Sequence, residues 1–301
     1  MKENICILEF PSNLGLKEPY PGHEPGVKHL PDFLNDHGFH AQLNPNLTIR
    51  LDPPPYSMDL DETSGVRNAD QIVDYAKIQA ALLQKVISQH YFPIVIGGDC
   101  SILIGNALAL KNKGVYGLFF LDGHTDFMWP SLSQTAGAAG MDLAIVTGSG
   151  HEKLTNINGQ KPYVKDKHAW CVGNRDEEYW YLKAITDSDI NYIPLTQLRH
   201  EGIKTCVANF LEMVHREKLD GFWIHIDVDV LDDTIMPAVD SRQQGGLGYE
   251  EFNEIIKLLL ADAKATGLEI TILDPDLDPS GQYTEDFIHQ FSITFNTKNK
   301  E

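Results

Sequence analysis

A chain of 301 residues, 42% of them hydrophobic, is long enough to bury a large core, and we expect one domain over residues 1–301. Its 43 acidic residues outnumber its 24 basic residues and give a formal net charge of −19, which argues against nucleic acid or an anionic membrane surface as the main partner. No apolar run approaches the roughly 20 residues of a membrane span, and the four cysteines form no CxxC pair. A soluble cytoplasmic protein without a disulfide framework is therefore expected.

Short apolar runs typical of strands alternate along the chain with segments of helical periodicity. In chain order, the predicted elements are a strand at 5–10, helices at 29–37 and 69–90, a strand at 93–96, a helix at 101–110, a strand at 116–121, a helix at 140–147, strands at 170–172 and 192–194, a helix at 203–215, a strand at 221–226, a helix at 249–263 and a strand at 269–273. This alternation predicts a mostly parallel sheet covered by helices on both faces. Ligands of such sheets bind beyond the carboxyl ends of the strands.

Two acidic motifs stand at the predicted ends of buried strands. They are Asp122-Gly-His124-Thr-Asp126 and Asp227-Val-Asp229. An unpaired buried carboxylate is very costly, so acids at these places must face a cleft and be compensated. Residues i and i+2 share a face of a strand, which would direct the three side chains of the first motif to one point. Together the motifs favour a site for divalent metal ions over the alternative of ordinary loop acids and a satisfied histidine.

The order of these motifs resembles that of the arginase–agmatinase–formiminoglutamase family, the ureohydrolases, over most of the chain. Gly-Gly-Asp-Cys-Ser at 97–101 looks like the family's Gly-Gly-Asp-His-Ser, and the motif at 122–126 looks like its Asp-Ala-His-x-Asp. The stretch 227–232, Asp-Val-Asp-Val-Leu-Asp, is similar to its Asp-Val-Asp-x-Leu-Asp-Pro. Residues 245–250 and 267–275 resemble the family's segments nearer the C-terminus.

The resemblance implies a three-layer α/β/α fold, a homo-oligomer (a trimer or hexamer) and two divalent metal ions, usually manganese. Two ions bridged by carboxylates lower the pKa of a shared water, so that a metal-bound hydroxide is available near neutral pH. In the family, this hydroxide attacks the planar carbon of a guanidinium, amidine or formimino group in a small-molecule substrate, and a C–N bond breaks.

The metal ligands that the resemblance implies are Cys100, Asp122, His124, Asp126, Asp227 and Asp229. Asp122 and Asp227 match the bridging carboxylates. Cys100 and Asp126 match the positions that hold one ion, and the remaining two residues match those that hold the other. His124 and Asp126 are also the candidate catalytic residues.

Three positions depart from the family pattern. Cys100 stands where the family has a histidine ligand. A thiolate is softer than imidazole, so zinc or another thiophilic ion is an alternative to manganese, and a cysteine that does not ligate is the other alternative. Ala139 replaces a histidine thought to pass protons to the leaving amine, and alanine has no proton to give. Ile272 replaces the glutamate that pairs with the guanidinium.

Two further acids are candidate substrate-binding residues. Glu178 follows the strand at 170–172, where the family contacts the substrate, and a solvated charge run is the alternative. Asp274 lies two residues after Ile272 and would compensate for the lost glutamate, with a structural role as the alternative. His225 is expected in the core, with its side chain directed away from the acids.

These features predict a metal-dependent hydrolase of a linear, non-peptide C–N bond in a guanidino-, amidino- or formimino-type small molecule. The three departures leave two alternatives open. One is a relative without catalytic activity that serves as a scaffold or binding subunit. The other is a single-zinc amide hydrolase or deacetylase, for which Asp122, His124 and one acid of the second motif would supply the ligands.

Overall fold

A sheet of parallel strands with helices on both faces forms the centre of the protein. The computed structural model describes residues 2, 4–176 and 178–296. The strands are β1 (Ile5–Glu9), β2 (Leu47–Arg50), β3 (Phe92–Ile96), β4 (Tyr116–Leu121), β5 (Ala169–Val172), β6 (Asn191–Ile193), β7 (Gly221–Asp227) and β8 (Ala265–Thr271). Their order is β2-β1-β3-β8-β7-β4-β5-β6, and each neighbouring pair described is parallel.

The helices form a layer on each face of the sheet. They are α1 (Leu30–Asp36), α2 (Phe39–Leu43), α3 (Ala69–Ser88), α4 (Ile102–Lys111), α5 (Asp142–Thr147), α6 (Glu152–Thr155), α7 (Tyr179–Thr186), α8 (Leu195–Glu201), α9 (Ile203–Arg216), α10 (Tyr249–Ala261) and α11 (Gln282–Asn296). Buried side chains of α1, α2 and α8 to α11 pack on one face, and those of α3 to α7 pack on the other. The three-layer α/β/α fold is therefore confirmed.

The central strands are buried on both faces. In β1, Ile5 and Ile7 pack against the layer that contains α9, whereas Cys6 and Leu8 pack against the layer that contains α3. Every residue of β1, β3, β4 and β7 is buried. Strands covered on both sides need apolar residues at successive positions, which is why these four are visible in the sequence as continuous apolar runs.

The structure contains several elements that the sequence analysis does not predict. The edge strand β2 alternates between partly and fully exposed residues, so it has no apolar run. The helices α2 and α6 to α8 have eight residues or fewer, too short for a periodic pattern. The helix predicted at 140–147 begins only at Asp142, because a 3-10 turn at Ala139–Met141 with a non-helical Gly140 precedes it.

The order of the strands brings four chemically distinctive segments together. β3, β8, β7 and β4 are consecutive at the middle of the sheet. Segment 97–101 leaves β3, Ile272 leaves β8, and the two acidic motifs leave β4 and β7. Because parallel strands end at the same edge, the sheet alone assembles these segments.

Two whole-chain features accompany this fold. Within the described ranges, no helix is both long enough and apolar enough to cross a membrane. The four cysteines are buried and are not joined in disulfides.

Replacing Gly98 with alanine should destabilise the fold, because the added carbon would lie 1.6 Å from the carbonyl oxygen of Ser12. Overpacking against a backbone atom costs about 1–3 kcal/mol. We expect a loss of at least that size in the free energy of unfolding, measured by urea denaturation. Gly140→Ala is the matched control, because apart from its chain neighbours no described residue has an atom within 4 Å of the added carbon there. Equal stability of the two variants would contradict the prediction.

Candidate metal centre

The two acidic motifs turn back on themselves where their strands end. β4 and β7 are neighbours, with Leu121 in register with Ile226, so Asp122 and Asp227 lie side by side at the edge. The backbone N–H of His124 donates to Asp122 Oδ1 at 2.6 Å. In β7, the N–H of Asp229 donates to Asp227 Oδ1 at 2.8 Å. These short turns keep each motif within reach of the other.

Three buried groups of side chains at this edge each bring their ligand atoms within 4.8 Å of one another. The first group joins the two motifs and consists of Asp122, His124 and Asp229. His124 Nδ1 lies 2.9 Å from Asp229 Oδ2 and 3.8 Å from Asp122 Oδ1. The N–H of Gly123 donates to Asp229 Oδ1 at 3.0 Å, which fixes that carboxylate.

The second group brings Cys100 to Asp122 and Asp227. Cys100 lies in the turn between β3 and α4 and is 1% exposed. Its Sγ donates to Asp227 Oδ2 at 3.0 Å and lies 3.0 Å from Thr271 Oγ1. The position predicted as a ligand therefore faces the carboxylates.

The third group, Cys100, Asp142 and His225, contains two residues that the sequence argument missed. His225 lies in the core as expected, but the expectation that it points away from the acids is wrong, because its Nε2 lies 3.9 Å from Asp122 Oδ2. It lies two residues before Asp227 on β7 and therefore shares its face. That spacing was the signal available in the sequence. Asp142 gives a weaker signal, since an acid in the first turn of a helix is common for reasons of the helix dipole.

The remaining predicted site residues lie at different distances from the groups. Asp126 lines the cavity beside them, but it belongs to none of the three. Glu178 lines the mouth of that cavity and accepts a hydrogen bond from the indole N–H of Trp180. Asp274 instead lines a neighbouring cavity, and its two oxygens accept hydrogen bonds from the N–H groups of Gly26 and residue 276.

Burial dominates the electrostatics of the acids. It raises the pKa of Asp122, Asp142 and Asp227 well above the usual range, and repulsion from neighbouring carboxylates raises it further. Burial likewise raises the pKa of Asp126 to about 7. For His124, burial lowers the pKa, but attraction to the adjacent carboxylates outweighs that effect and the pKa is raised.

Several polar atoms in these groups have no hydrogen-bond partner among the described residues. They are Asp122 Oδ2, Asp142 Oδ2 and His225 Nε2, and all three side chains are 0% exposed. Leaving such atoms unsatisfied costs several kcal/mol, on the order of 1–3 each. Carboxylate, imidazole and thiol ligands around one point fit a divalent cation, which would satisfy them together.

A cavity of about 360 Å³ opens onto the groups. The acids that line it are Asp126, Asp176, Glu178, Asp227, Asp229 and Asp240, and its described lining contains no lysine or arginine. Cys100, Ala139 and Ile272 line the same cavity, so all three departures from the family pattern lie at the site. Ile272 has φ 75°, a left-handed conformation that is strongly disfavoured for a β-branched residue.

The model of the arginase family matches residues 15–295. The chain belongs to the arginase family. It is 28% identical to an arginase of Staphylococcus aureus over 295 residues, which cover 94% of both chains. The structure of Bacillus caldovelox arginase superposes with a TM-score of 0.86 at 25% identity, covering 99% of this chain and 100% of that one. A formimidoylglutamase of Bacillus subtilis has the same fold, with a TM-score of 0.71 at 20% identity and coverages of 98% and 87%.

Stabilisation by a divalent ion should increase with pH. An acid whose pKa is raised by folding contributes stability that is complete below its unfolded pKa, about 4, and is lost as the pH rises through the folded value. A bound ion takes the place of the protons on these acids. It therefore restores more stability at a pH at which fewer of the acids are protonated. The rise in melting temperature on adding Mn²⁺ or Zn²⁺ should therefore grow from about pH 5 to about pH 8. A rise that is the same at every pH would contradict this expectation.

Proposed function

We propose that the chain is a metal-dependent hydrolase of a linear, non-peptide C–N bond in a guanidino-, amidino- or formimino-type small molecule. The observation that carries the proposal is the convergence of Asp122, His124, Asp227 and Asp229 at one buried edge of the sheet, beside an acidic cavity. Membership of the arginase family supports the reaction class, and the names of the relatives, arginase and formimidoylglutamase, support the substrate class.

The residues that would hold metal are the six predicted ones. Asp122 is shared by two of the groups, which supports a bridging role, and Asp227 is the other proposed bridge. His124 with Asp229 would hold one ion, and Cys100 would contribute to the other. Asp126 remains a proposed ligand and catalytic residue on the family resemblance and on its place in the cavity wall. Bound divalent ions would lower the pKa of a water molecule and so supply a nucleophile near neutral pH.

The cavity wall supports a cationic substrate. Its acids are uncompensated by any basic side chain within the described lining, so a guanidinium or amidinium would be attracted. Ile272 removes the carboxylate that the family uses for this contact, but Asp176 and Asp240 face the same space from other segments. Glu178, at the mouth, is placed to contact a substrate amine. For Asp274, whose oxygens are already occupied, we propose a structural role.

The wider setting follows the family. We propose a cytoplasmic homo-oligomer, a trimer or hexamer, built from one domain per chain, with manganese as the family's usual ion. The unpaired cysteines are consistent with a reducing compartment.

Asp122→Asn and Asp227→Asn should each abolish tight binding of divalent ions. An amide keeps the size of the side chain but removes the charge that a bridging ligand supplies. Metal content after dialysis, measured by mass spectrometry, is the test. Asp187→Asn, an exposed acid on the surface, is the control. If neither variant alters metal content, the bridging roles are wrong.

Cys100→His should raise affinity for manganese relative to zinc. Imidazole is the harder ligand, and the other ligands already supply hard oxygens. Competition binding with the two ions measures the ratio in the variant and in the wild type. An unchanged ratio would show that the thiol does not select the ion.

The activity itself should appear as release of urea, ammonia or formamide from a panel of guanidino, amidino and formimino compounds. We expect turnover of at least one compound by the metal-loaded wild type and background release by Asp122→Asn. A wild type that holds two ions and turns over no member of the panel would contradict the proposed reaction.

A further inference from the structure

A layer of polar side chains lies deeper in the sheet than the metal ligands that the family resemblance implies. His225 precedes Asp227 by two residues on β7, and Glu269 precedes Thr271 by two on β8. The register pairs His225 with Glu269 and Asp227 with Thr271. Asp227 and Thr271 therefore form an outer row near the cavity, and His225 and Glu269 form an inner row one step deeper in the sheet.

The inner row is held rigidly in one orientation. His225 Nδ1 lies 2.6 Å from Glu269 Oε1, and the side-chain amide of Asn106 on α4 donates to the other oxygen of that carboxylate. The ring of His225 stacks on Phe120 with centroids 4.4 Å apart and an interplanar angle of 6°. When Nδ1 carries the proton donated to Glu269, Nε2 presents its lone pair on the opposite side of the ring.

That lone pair accepts no hydrogen bond from the described residues. Nε2 lies 3.9 Å from Asp122 Oδ2, and His225 forms one compact group of ligand atoms with Cys100 and Asp142. Within the part of the chain that the structure describes, His225 Nε2 and Asp142 Oδ2 both lack hydrogen-bond partners, and both side chains are 0% exposed. The metal-dependent reaction proposed above uses neither residue.

A carboxylate that orients a histidine through Nδ1 is the usual support of a zinc-bound imidazole. Thiolate, imidazole and carboxylate are each ligands of zinc, and a catalytic zinc typically has three protein ligands and a fourth position left open. Manganese, by contrast, favours oxygen ligands. The family places a histidine where Cys100 stands, and His225 supplies an imidazole to the same space from a different strand.

We propose that Cys100, Asp142 and His225 form a buried zinc site, in which Glu269 is a positioning residue for His225. The inference rests on the proposed metal-dependent function and deepens it, because it assigns one ion a ligand set of this chain's own. Among the groups described, this is the one that offers both sulfur and imidazole to a single ion.

X-ray absorption at the zinc edge of wild-type protein loaded with one equivalent of zinc tests the site directly. We expect one sulfur at about 2.3 Å together with one imidazole on the same ion. Sulfur without imidazole would indicate Cys100 with Asp122 and Asp227, and oxygen with imidazole alone would indicate Asp122, His124 and Asp229. Either result would overturn the inference, and because the wild type is measured, neither depends on a variant that folds.

Variants then test each ligand by zinc affinity and by the thiolate-to-metal absorption of the cobalt-substituted protein. His225→Gln and Asp142→Asn should weaken zinc by about 100-fold or more, and Glu269→Gln by about 10- to 100-fold. His168→Gln, which removes another buried imidazole, and Cys206→Ser, which removes a buried thiol of α9, are the matched controls. Unchanged affinity in His225→Gln with an intact circular dichroism spectrum would refute the site.

The outcome is separable from that of the proposed reaction. Turnover with zinc bound by oxygen and imidazole alone would support the reaction and reject the inner site. Sulfur and imidazole on one zinc, in a protein that turns over none of the panel, would support the inner site and reject the reaction.

Discussion

The repulsion among carboxylates buried at one edge of the sheet is the constraint on which the rest of the site depends. Asp122, Asp142 and Asp227 are at most 3% exposed, and burial raises the pKa of each. A folded protein tolerates such a concentration of acid only when protons or cations offset it. Near neutral pH, protons are scarce, so the arrangement favours cations, and the backbone turns of both motifs preserve the geometry that cations would need.

The sheet supplies this arrangement through its order. Four middle strands end beside one another, and their register sets the acids of β4 and β7 side by side. Helices contribute from one layer only: α4 brings Asn106 and α5 begins at Asp142, on the face that His225 also occupies. The acidic cavity and the inner row are therefore consequences of the same topology, seen from the solvent side and from the core side.

The sequence predicted the fold and the outer row because both follow from local patterns. Continuous apolar runs indicate buried strands, and acids at the ends of those runs indicate a polar edge. The fold and the family were confirmed, whereas the roles of the site residues stay predictions. The sequence could not show tertiary features. Asp142 comes from a helix start distant in the chain, and Asp274 lines a neighbouring cavity although it lies only two residues after Ile272. The two-residue spacing of His225 from Asp227, by contrast, did indicate that both side chains lie on the same face of β7.

The burial of the proposed zinc site sets how fast an ion could enter or leave it. Asp142 and His225 of the proposed zinc site are 0% exposed and do not line the cavity, whereas His124 lines it and is partly exposed. Because Asp142 and His225 do not line the cavity, an ion held by them would exchange more slowly than an ion held by the cavity-lining His124 and Asp229. A chelator would accordingly remove ions from the proposed zinc site and from the cavity-lining ligands in separate kinetic phases. The metal in the proposed zinc site would then be the one that was available while the chain folded rather than the metal that surrounds the protein later.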